Sequence, residues 1–317
     1  MRAPLEAFGF AADAVLPVFL LLALGHVLHR SGRLDPAFLR GASWVVYRLC
    51  LPVTIFVSIS AAPLADVWSL PLLLLTGSLT VAACLLLWPL SARLAPAAAD
   101  RGVFIQGAFR SNFAIVGLAL VDSALGAGGL AQAGLLLALI IPLYTVLAVT
   151  VLRLPLQVAG DPPGRLLRPL LTNPLLIAVA AGLLASGLGW RLGGPLAGTA
   201  DALRAMTLPL ALLTVGATLD LRALRLDSTP ALAATGIKLV LLPLLAVALA
   251  LALGRPAAET AILFVLFGSP TAVVSFVLAH ELGGNPVLAA NIVALTTLLS
   301  VATLGLGLFA LRLAAIV

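Results

Sequence analysis

The sequence predicts an all-α polytopic membrane protein with ten transmembrane helices, arranged as two five-helix repeats of opposite orientation. Three observations predict it: an apolar composition, ten apolar runs, and landmarks that recur in the same order in both halves. Hydrophobic residues make up 62% and charged residues 9% of the 317 residues, whereas a soluble domain carries about 25% charged residues. A soluble fold of this length cannot hide so much apolar surface.

The charge pattern is interpreted as a membrane-topology signal. A net charge of +6 would suggest a nucleic-acid partner in a soluble protein, but the basic residues cluster in short loops between apolar runs. We therefore predict no nucleic-acid partner. Cys50 and Cys84 fall inside apolar runs and are interpreted as small core residues. The first run is a span and not a signal peptide, because Glu6 and Asp13 stand where a basic region belongs.

Each apolar run is about 18–25 residues long, which suffices to cross a hydrocarbon core of roughly 30 Å. In lipid every backbone group needs an internal partner, so the runs are predicted helices. They lack the alternating polar residues of a membrane barrel. The predicted spans, numbered one to ten, cover residues 12–29, 41–60, 69–91, 102–123, 130–152, 170–188, 196–218, 230–253, 258–280 and 287–311.

Arginines in the loops orient these spans. Alternate loops hold ten arginines on one side and four on the other, and the richer side is expected to be cytoplasmic. Both termini are then outside, in the inner membrane of a bacterium. The predicted cytoplasmic arginines are Arg30, Arg33, Arg40, Arg93, Arg101, Arg153, Arg165, Arg168, Arg222 and Arg225, and the outer ones are Arg2, Arg191, Arg255 and Arg312.

Landmarks of the first half recur in the second at a nearly constant offset. Pro17 and Pro174 are 157 residues apart, and residues 109–116 match residues 267–274 at an offset of 158. Matches of Pro, Gly and Ser carry weight here because Leu and Ala match by chance. Five spans per half is an odd number, so two similar halves must insert in opposite senses. Such halves are typical of transporters, with the site where they meet.

The repeats predict the domain organisation. The first repeat covers residues 1–152 and the second covers residues 169–317. A short cytoplasmic linker, residues 153–168, joins them and is rich in turn-forming Gly and Pro. No separate soluble domain is expected.

Two spans carry polar breaks at matching depths, in residues 107–112 and 268–271. Proline inside a helix removes a hydrogen bond and clashes with the preceding turn, as at Pro270. If both spans unwind, four half-helix ends face one pocket, and the N-terminal ends favour an anion. The alternative is a kink at Pro270, with Ser and Thr hydroxyls bonded to the preceding turn.

Two cations lie inside predicted spans, where an unpaired charge is expensive. Arg110 is a candidate counter-charge for an anionic substrate, and the alternative is a structural pair or snorkelling. Lys238, the single lysine, is a candidate substrate contact or proton-coupling group, and snorkelling is again the rival. Asn291 in the tenth span either lines the same cavity or links helices. Because no Asp or Glu lies near a span centre, the charges favour an anionic cargo.

Sequence motifs of enzymes are missing. The chain contains no zinc-protease, nucleophile-elbow, phosphate-loop or dinucleotide motif. The three histidines lie near the membrane edges and form no ligand cluster. We predict no enzymatic activity, no cofactor and no metal site.

The motifs together resemble the auxin efflux carrier family, with its bacterial PIN-like members and malonate-type permeases. The resemblance covers all ten spans, and the order and spacing of the segments make it specific. The matching segments are residues 109–113 with Gly117, Asn173-Pro174, Leu208-Pro209 with residues 215–217, and residues 270–272 with Glu281, Gly283 and Gly284.

This resemblance implies a fold like that of the bile-acid sodium symporters. Spans 1, 2, 6 and 7 would form a scaffold, and spans 3–5 and 8–10 a transport domain in which broken spans 4 and 9 cross over. Family members carry organic anions, such as indole-3-acetate or dicarboxylates, by an elevator-type motion. A homodimer through the scaffold helices is also implied.

By position, the resemblance makes Asn112 and Pro270 the crossover residues, with Ser111, Ser269 and Thr271 around the site. This chain departs from plant members in lacking their long cytoplasmic loop. It also lacks their acidic residue in the third span, which leaves the coupling ion and the natural substrate open.

We therefore predict a secondary carrier for small organic anions, in which Arg110 and the half-helix ends bind a carboxylate. A sodium-coupled symporter of the same fold is the second reading, and coupling to H⁺ or Na⁺ stays open. The third reading, an integral membrane enzyme or sensor, has no catalytic constellation behind it.

Overall fold

The computed structural model of the protein describes residues 2–156, 171–226 and 228–316, which are predominantly helical. In these ranges the only β-pairing is one isolated bridge. Seven of the described helices are long and apolar enough to cross a membrane, and two shorter ones are also apolar. Many large hydrophobic side chains lie exposed along them, as a lipid-facing surface requires. The chain is therefore a multi-pass, all-α membrane protein.

The first described range begins with three long helices and ends with a split one. A glycine conformation at Gly126, with φ of 66°, divides the continuous helical stretch Phe113–Leu156. The helices are α1 (Arg2–Arg30), α2 (Pro36–Ala61), a short helix (Leu64–Val67), α3 (Leu70–Leu94), α4 (Ala98–Phe109), α5 (113–125) and α6 (127–156).

The rest of the described chain contains six further α-helices. Proline occupies the first turn of several, where its missing N–H costs nothing, and Asn173 and Asn285 accept hydrogen bonds from the first N–H groups of the helices that follow them. The helices are α7 (Pro174–Gly187), α8 (Gly194–Ala217), α9 (Thr229–Ala252), α10 (Ala257–Gly268), α11 (Val274–Glu281) and α12 (Pro286–Leu313).

Contacts near the helix termini sort the helix ends into two groups. At one end, the α11–α12 loop contacts the first turn of α4, because the Asn285 backbone N–H donates to the Ala99 carbonyl over 3.0 Å. At the other end, the Ser186 hydroxyl donates to the Ala62 carbonyl over 2.8 Å. The Ser69 hydroxyl donates there to Glu259 over 2.7 Å. We call the first group the arginine-rich end, since it includes the loops predicted to be cytoplasmic, and the second the opposite end.

Helices α1 and α8 touch backbone to backbone through two glycines. A Cβ at Gly25 would meet the Leu213 backbone, and one at Gly216 would meet the Leu22 backbone. Gly182 of α7 allows a similar approach to Ile59 of α2, where an added Cβ would lie 3.0 Å from the Ile59 Cβ. Glycine at these three positions therefore permits close helix packing.

Most predicted spans correspond to described helices. Residues 157–168 of the predicted linker lie outside the described residues. The division of the chain into two repeats stays a prediction.

Candidate functional site

Both predicted breaks are present. Helix α4 ends at Phe109, and Arg110 is extended before α5 starts with a π-helical turn at Phe113. Helix α10 ends at Gly268, Ser269 is extended, and α11 starts at Val274. A short stretch of non-helical backbone thus interrupts each span.

The two breaks pair with each other. Ser111 and Thr271 form the antiparallel bridge. On one side of it the Asn112 N–H donates to the Pro270 carbonyl over 2.8 Å, and on the other the Ala272 N–H donates to the Arg110 carbonyl over 3.2 Å. Exchanging residues 110 and 112 for 270 and 272 maps this pattern onto itself, so the pairing has local two-fold symmetry. We call residues 110–112 and 269–273 the paired breaks.

Each break also caps the helix of the other. The Ser111 hydroxyl donates to the Leu266 carbonyl of α10 over 2.5 Å, and the Thr271 hydroxyl donates to the Gly107 carbonyl of α4 over 2.6 Å. These carbonyls belong to last helical turns, which lack partners of their own. The paired breaks are therefore held by side chains as well as by backbone.

Lys238 lies directly behind the paired breaks. It belongs to a π-helical turn of α9, residues 237–241, and its side chain is fully buried. Its ammonium donates to the Ser111 hydroxyl and, over 2.7 Å, to the Phe267 carbonyl. Among the described ion pairs none involves Lys238. The C-terminal end of α10 carries partial negative charge that stabilises a cation there.

A cavity of about 500 Å³ opens on the front of the first break. One wall comes from α2, the start of α7 and the end of α8, and the facing wall from α5, α6 and the start of α11. Most of the lining is aliphatic or aromatic. The polar exceptions within the described lining are Ser43, Tyr47, Arg110, Ser111, Asn112, Tyr144, Thr145, Asn173, Thr214 and Thr218.

Arg110 is the one cation among the described residues that line this cavity. One guanidinium nitrogen, Nη1, is buried and has no hydrogen-bond partner. No Asp or Glu occurs in the described lining. A guanidinium with a free donor in an apolar cavity is suited to a carboxylate or a similar anion.

Several lining residues were not predicted from the sequence. Asn173 caps α7 with its oxygen and donates from its amide nitrogen to the Tyr47 hydroxyl over 3.0 Å. Thr214 and Thr218 face the cavity near the end of α8. Only the Asn173-Pro174 segment of the family resemblance signalled any of them.

The predicted site residues divide into three groups. Arg110, Ser111 and Asn112 line the cavity. Ser269, Pro270 and Thr271 form the second break behind it, and Lys238 touches Ser111. Whether these residues bind a substrate stays a prediction.

Asn291 requires a correction. It is not among the described residues that line the cavity. Its amide oxygen accepts a hydrogen bond from the Arg225 backbone N–H over 3.0 Å, and its amide nitrogen donates to the Arg225 carbonyl over 3.1 Å. Asn291 is therefore placed as a clamp between α12 and the α8–α9 loop. An apolar helix pattern does not show which polar side chains reach the cavity, so the sequence did not reveal this link.

Comparison with known proteins decides the family. Residues 10–158 and 164–306 match a family described as membrane transport protein. The chain belongs to this family, the auxin efflux carriers. The transporter is also similar to an uncharacterized transporter of Methanothermobacter thermautotrophicus, with 26% identity over 304 residues that cover 93% of this chain and 97% of the relative. The family predicted from the sequence motifs is confirmed.

Proposed function

We propose that this transporter is a secondary carrier for small organic anions. The observation that supports this most directly is Arg110, the one cation in the described lining of a largely apolar cavity, with a guanidinium Nη1 atom that has no hydrogen-bond partner. A carboxylate would accept hydrogen bonds from the Arg110 fork, and Asn112 and Ser111 would orient it. The apolar walls would hold the rest of the molecule.

The proposed cargo is an indole acid of the auxin kind or another small mono- or dicarboxylate. A cavity of about 500 Å³ falls in the range of roughly 300–1,000 Å³ that is usual for small-molecule sites. Arg110 would recognise the negative charge, and the residues of the cavity walls would determine which carboxylates fit.

The proposed architecture is the ten-span inverted repeat. Helices α4 and α5 together would form the fourth span, and α10 and α11 the ninth, with the paired breaks as their crossover. Three contacts near helix termini support ten passes, because they place the start of α4 with the α11–α12 loop at one end, and the α2–α3 segment with the end of α7 and the start of α10 at the other. So does the two-fold pairing of residues 110–112 with 270–272.

Elevator-type transport is the mechanism that we propose for this architecture. Helices α1, α2, α7 and α8 would form the scaffold, and the remaining helices the moving domain. The cavity supports this because its walls come from both groups. Its polar mouth residues Ser43, Asn173 and Thr218 lie at the arginine-rich end, so this state would face the cytoplasm if both termini are outside.

Electrogenic transport in proteoliposomes tests the proposal. Solid-supported-membrane currents would be recorded for indole-3-acetate and a panel of mono- and dicarboxylates, with and without sodium. Arg110→Ala should lower apparent anion affinity about 10- to 100-fold, because a hydrogen bond to a charged group is worth about 1.5–3 kcal/mol.

Arg48→Gln is the matched control, since it removes an exposed arginine at a span position outside the cavity. A saturable signal that is lost in Arg110→Ala and kept in Arg48→Gln supports the proposal. Dependence on sodium would select the symporter variant. Folded protein without any anion signal would overturn the proposal.

A further inference from the structure

A second cavity lies at the arginine-rich end, away from the paired breaks. Its volume is about 320 Å³, and it lies between the end of α3, the first turns of α4 and the end of α6. The described lining residues are Trp88, Pro89, Ser91, Ala92, Arg101, Leu154 and Pro155. The proposed transport function makes no use of this cavity.

Arg101 supplies the charge of this cavity and has no partner for it. Its Nε atom is shielded from solvent and lacks a hydrogen bond, and Arg101 takes part in none of the described ion pairs. The nearest acid in the chain, Asp100, accepts a hydrogen bond from the Asn285 amide over 2.8 Å. A half-buried guanidinium without an anion leaves the site electrostatically incomplete.

Around Arg101 the cavity borders on lipid-facing surface. Trp88 is 36% exposed and Leu154 is 57% exposed. One turn earlier on α3, Leu85 and Leu86 are 66% and 69% exposed. Tryptophan is enriched where membrane and water meet, and a basic pocket between spans at that level suits a lipid headgroup.

We infer that this cavity binds the phosphate of an anionic phospholipid headgroup. Arg101 would donate to the phosphate oxygens, Trp88 would lie against the glycerol region, and an acyl chain would run along the exposed leucines of α3. The apolar border favours a lipid over a free anion, because a soluble phosphate would gain nothing from Leu85, Leu86 and Leu154.

Lipid binding to the purified full-length protein tests this inference. Native mass spectrometry would titrate phosphatidylglycerol, with phosphatidylcholine and inorganic phosphate as comparisons. Wild type should bind phosphatidylglycerol in preference to phosphatidylcholine, and Arg101→Gln should weaken that binding about fivefold, the effect of one basic residue near an anionic headgroup. Arg93→Gln removes an exposed arginine at the end of α3, outside the cavity, and should leave binding unchanged.

Quenching of tryptophan fluorescence is a second measurement, and it shows where the lipid binds. It uses wild type and Trp88→Phe, so it is independent of whether Arg101→Gln folds. Brominated phosphatidylglycerol should quench part of the tryptophan fluorescence of wild type, and Trp88→Phe should lose that part. Equal binding of the two lipids, equal loss in Arg101→Gln and Arg93→Gln, or full competition by inorganic phosphate would each overturn the inference. None of these results depends on whether the protein transports an anion.

Discussion

At the paired breaks, side-chain hydroxyls take over hydrogen bonds that an unbroken helix makes with its own backbone. The Ser111 hydroxyl donates to the Leu266 carbonyl, and the Thr271 hydroxyl donates to the Gly107 carbonyl. In each case the hydroxyl and the carbonyl belong to different predicted spans. In lipid an unpaired carbonyl is costly, so these hydroxyls are what makes non-helical backbone tolerable at this depth.

Replacing Thr271 with the isosteric Val should lower the free energy of unfolding by about 1–2 kcal/mol, because the buried Gly107 carbonyl loses its donor. Thermal unfolding in detergent would measure this as a lower midpoint temperature. Thr199→Val is the control: its hydroxyl also donates to a carbonyl, that of Pro195, but is exposed. Equal effects of the two substitutions would contradict the capping role.

Lys238 places a buried positive charge against the paired breaks. Its ammonium is buried against Ser111, which lines the cavity, so it attracts an anion bound in front of that serine. Lys238→Met should raise the KM for anions about tenfold while the protein stays folded, since removing a buried charge also removes its desolvation cost. Uptake kinetics compared with Arg48→Gln would check this. An unchanged KM would restrict Lys238 to a structural role.

Among the elements, two helices widen into π-helical turns shortly before a proline. Residues 46–50 precede Pro52 in α2, and residues 237–241 precede Pro243 in α9. A proline ring collides with the carbonyl four residues earlier, and a wider turn relieves the collision. The two π turns carry Tyr47, which lines the cavity, and Lys238, which contacts Ser111, so these prolines also position residues around the cavity.

The close contact between α1 and α8 depends on one glycine in each helix, Gly25 and Gly216. Gly216→Ala should lower the unfolding midpoint by several degrees, because the new methyl would overlap the Leu22 backbone and overpacking costs about 1–3 kcal/mol. Gly198→Ala on the same helix meets nothing within 4 Å. It should be neutral or stabilising, since alanine favours helix over glycine by about 1 kcal/mol. Differential scanning fluorimetry would separate the two, and a stable Gly216→Ala would refute the close contact.

At the scale of the whole molecule, two contacts join helices of the proposed scaffold to a helix of the proposed moving domain. At the opposite end Asp122 of α5 lies 4.0 Å from Arg204 of α8, and Ser123 donates to the Asp13 carbonyl of α1 over 3.2 Å. Both ion-pair partners are partly exposed, so the pair adds little stability. In the proposed elevator these contacts join the moving domain to the scaffold and must break in each cycle.

A cross-link across this boundary should stop transport. The distance between the Asp122 and Arg204 side-chain tips is too long for a direct disulfide between cysteines at these positions, so a thiol-reactive cross-linker that contains a reducible disulfide would join Asp122→Cys to Arg204→Cys. The cross-linked pair should lose uptake, and reduction should restore it. The control pair, Ser69→Cys with Glu259→Cys, joins α10 to the residue before α3, both within the proposed moving domain, and should keep uptake when cross-linked. Proteoliposome uptake before and after reduction would measure both. Full uptake by the cross-linked first pair would rule out sliding at this boundary.

The sequence by itself determined the membrane class, the helical spans, the positions of both breaks and the family, because these follow from composition and from local backbone chemistry in lipid. It also placed Arg110, Ser111 and Asn112 at the site, since polar groups inside a span stand out. Only the tertiary structure decided which helix faces meet there. The helices are apolar nearly all round, so no periodic pattern reports their rotation. For that reason Tyr47 and Asn173 were not predicted, and the sequence left open which of two roles Asn291 has, the cavity contact or the helix link that the structure shows.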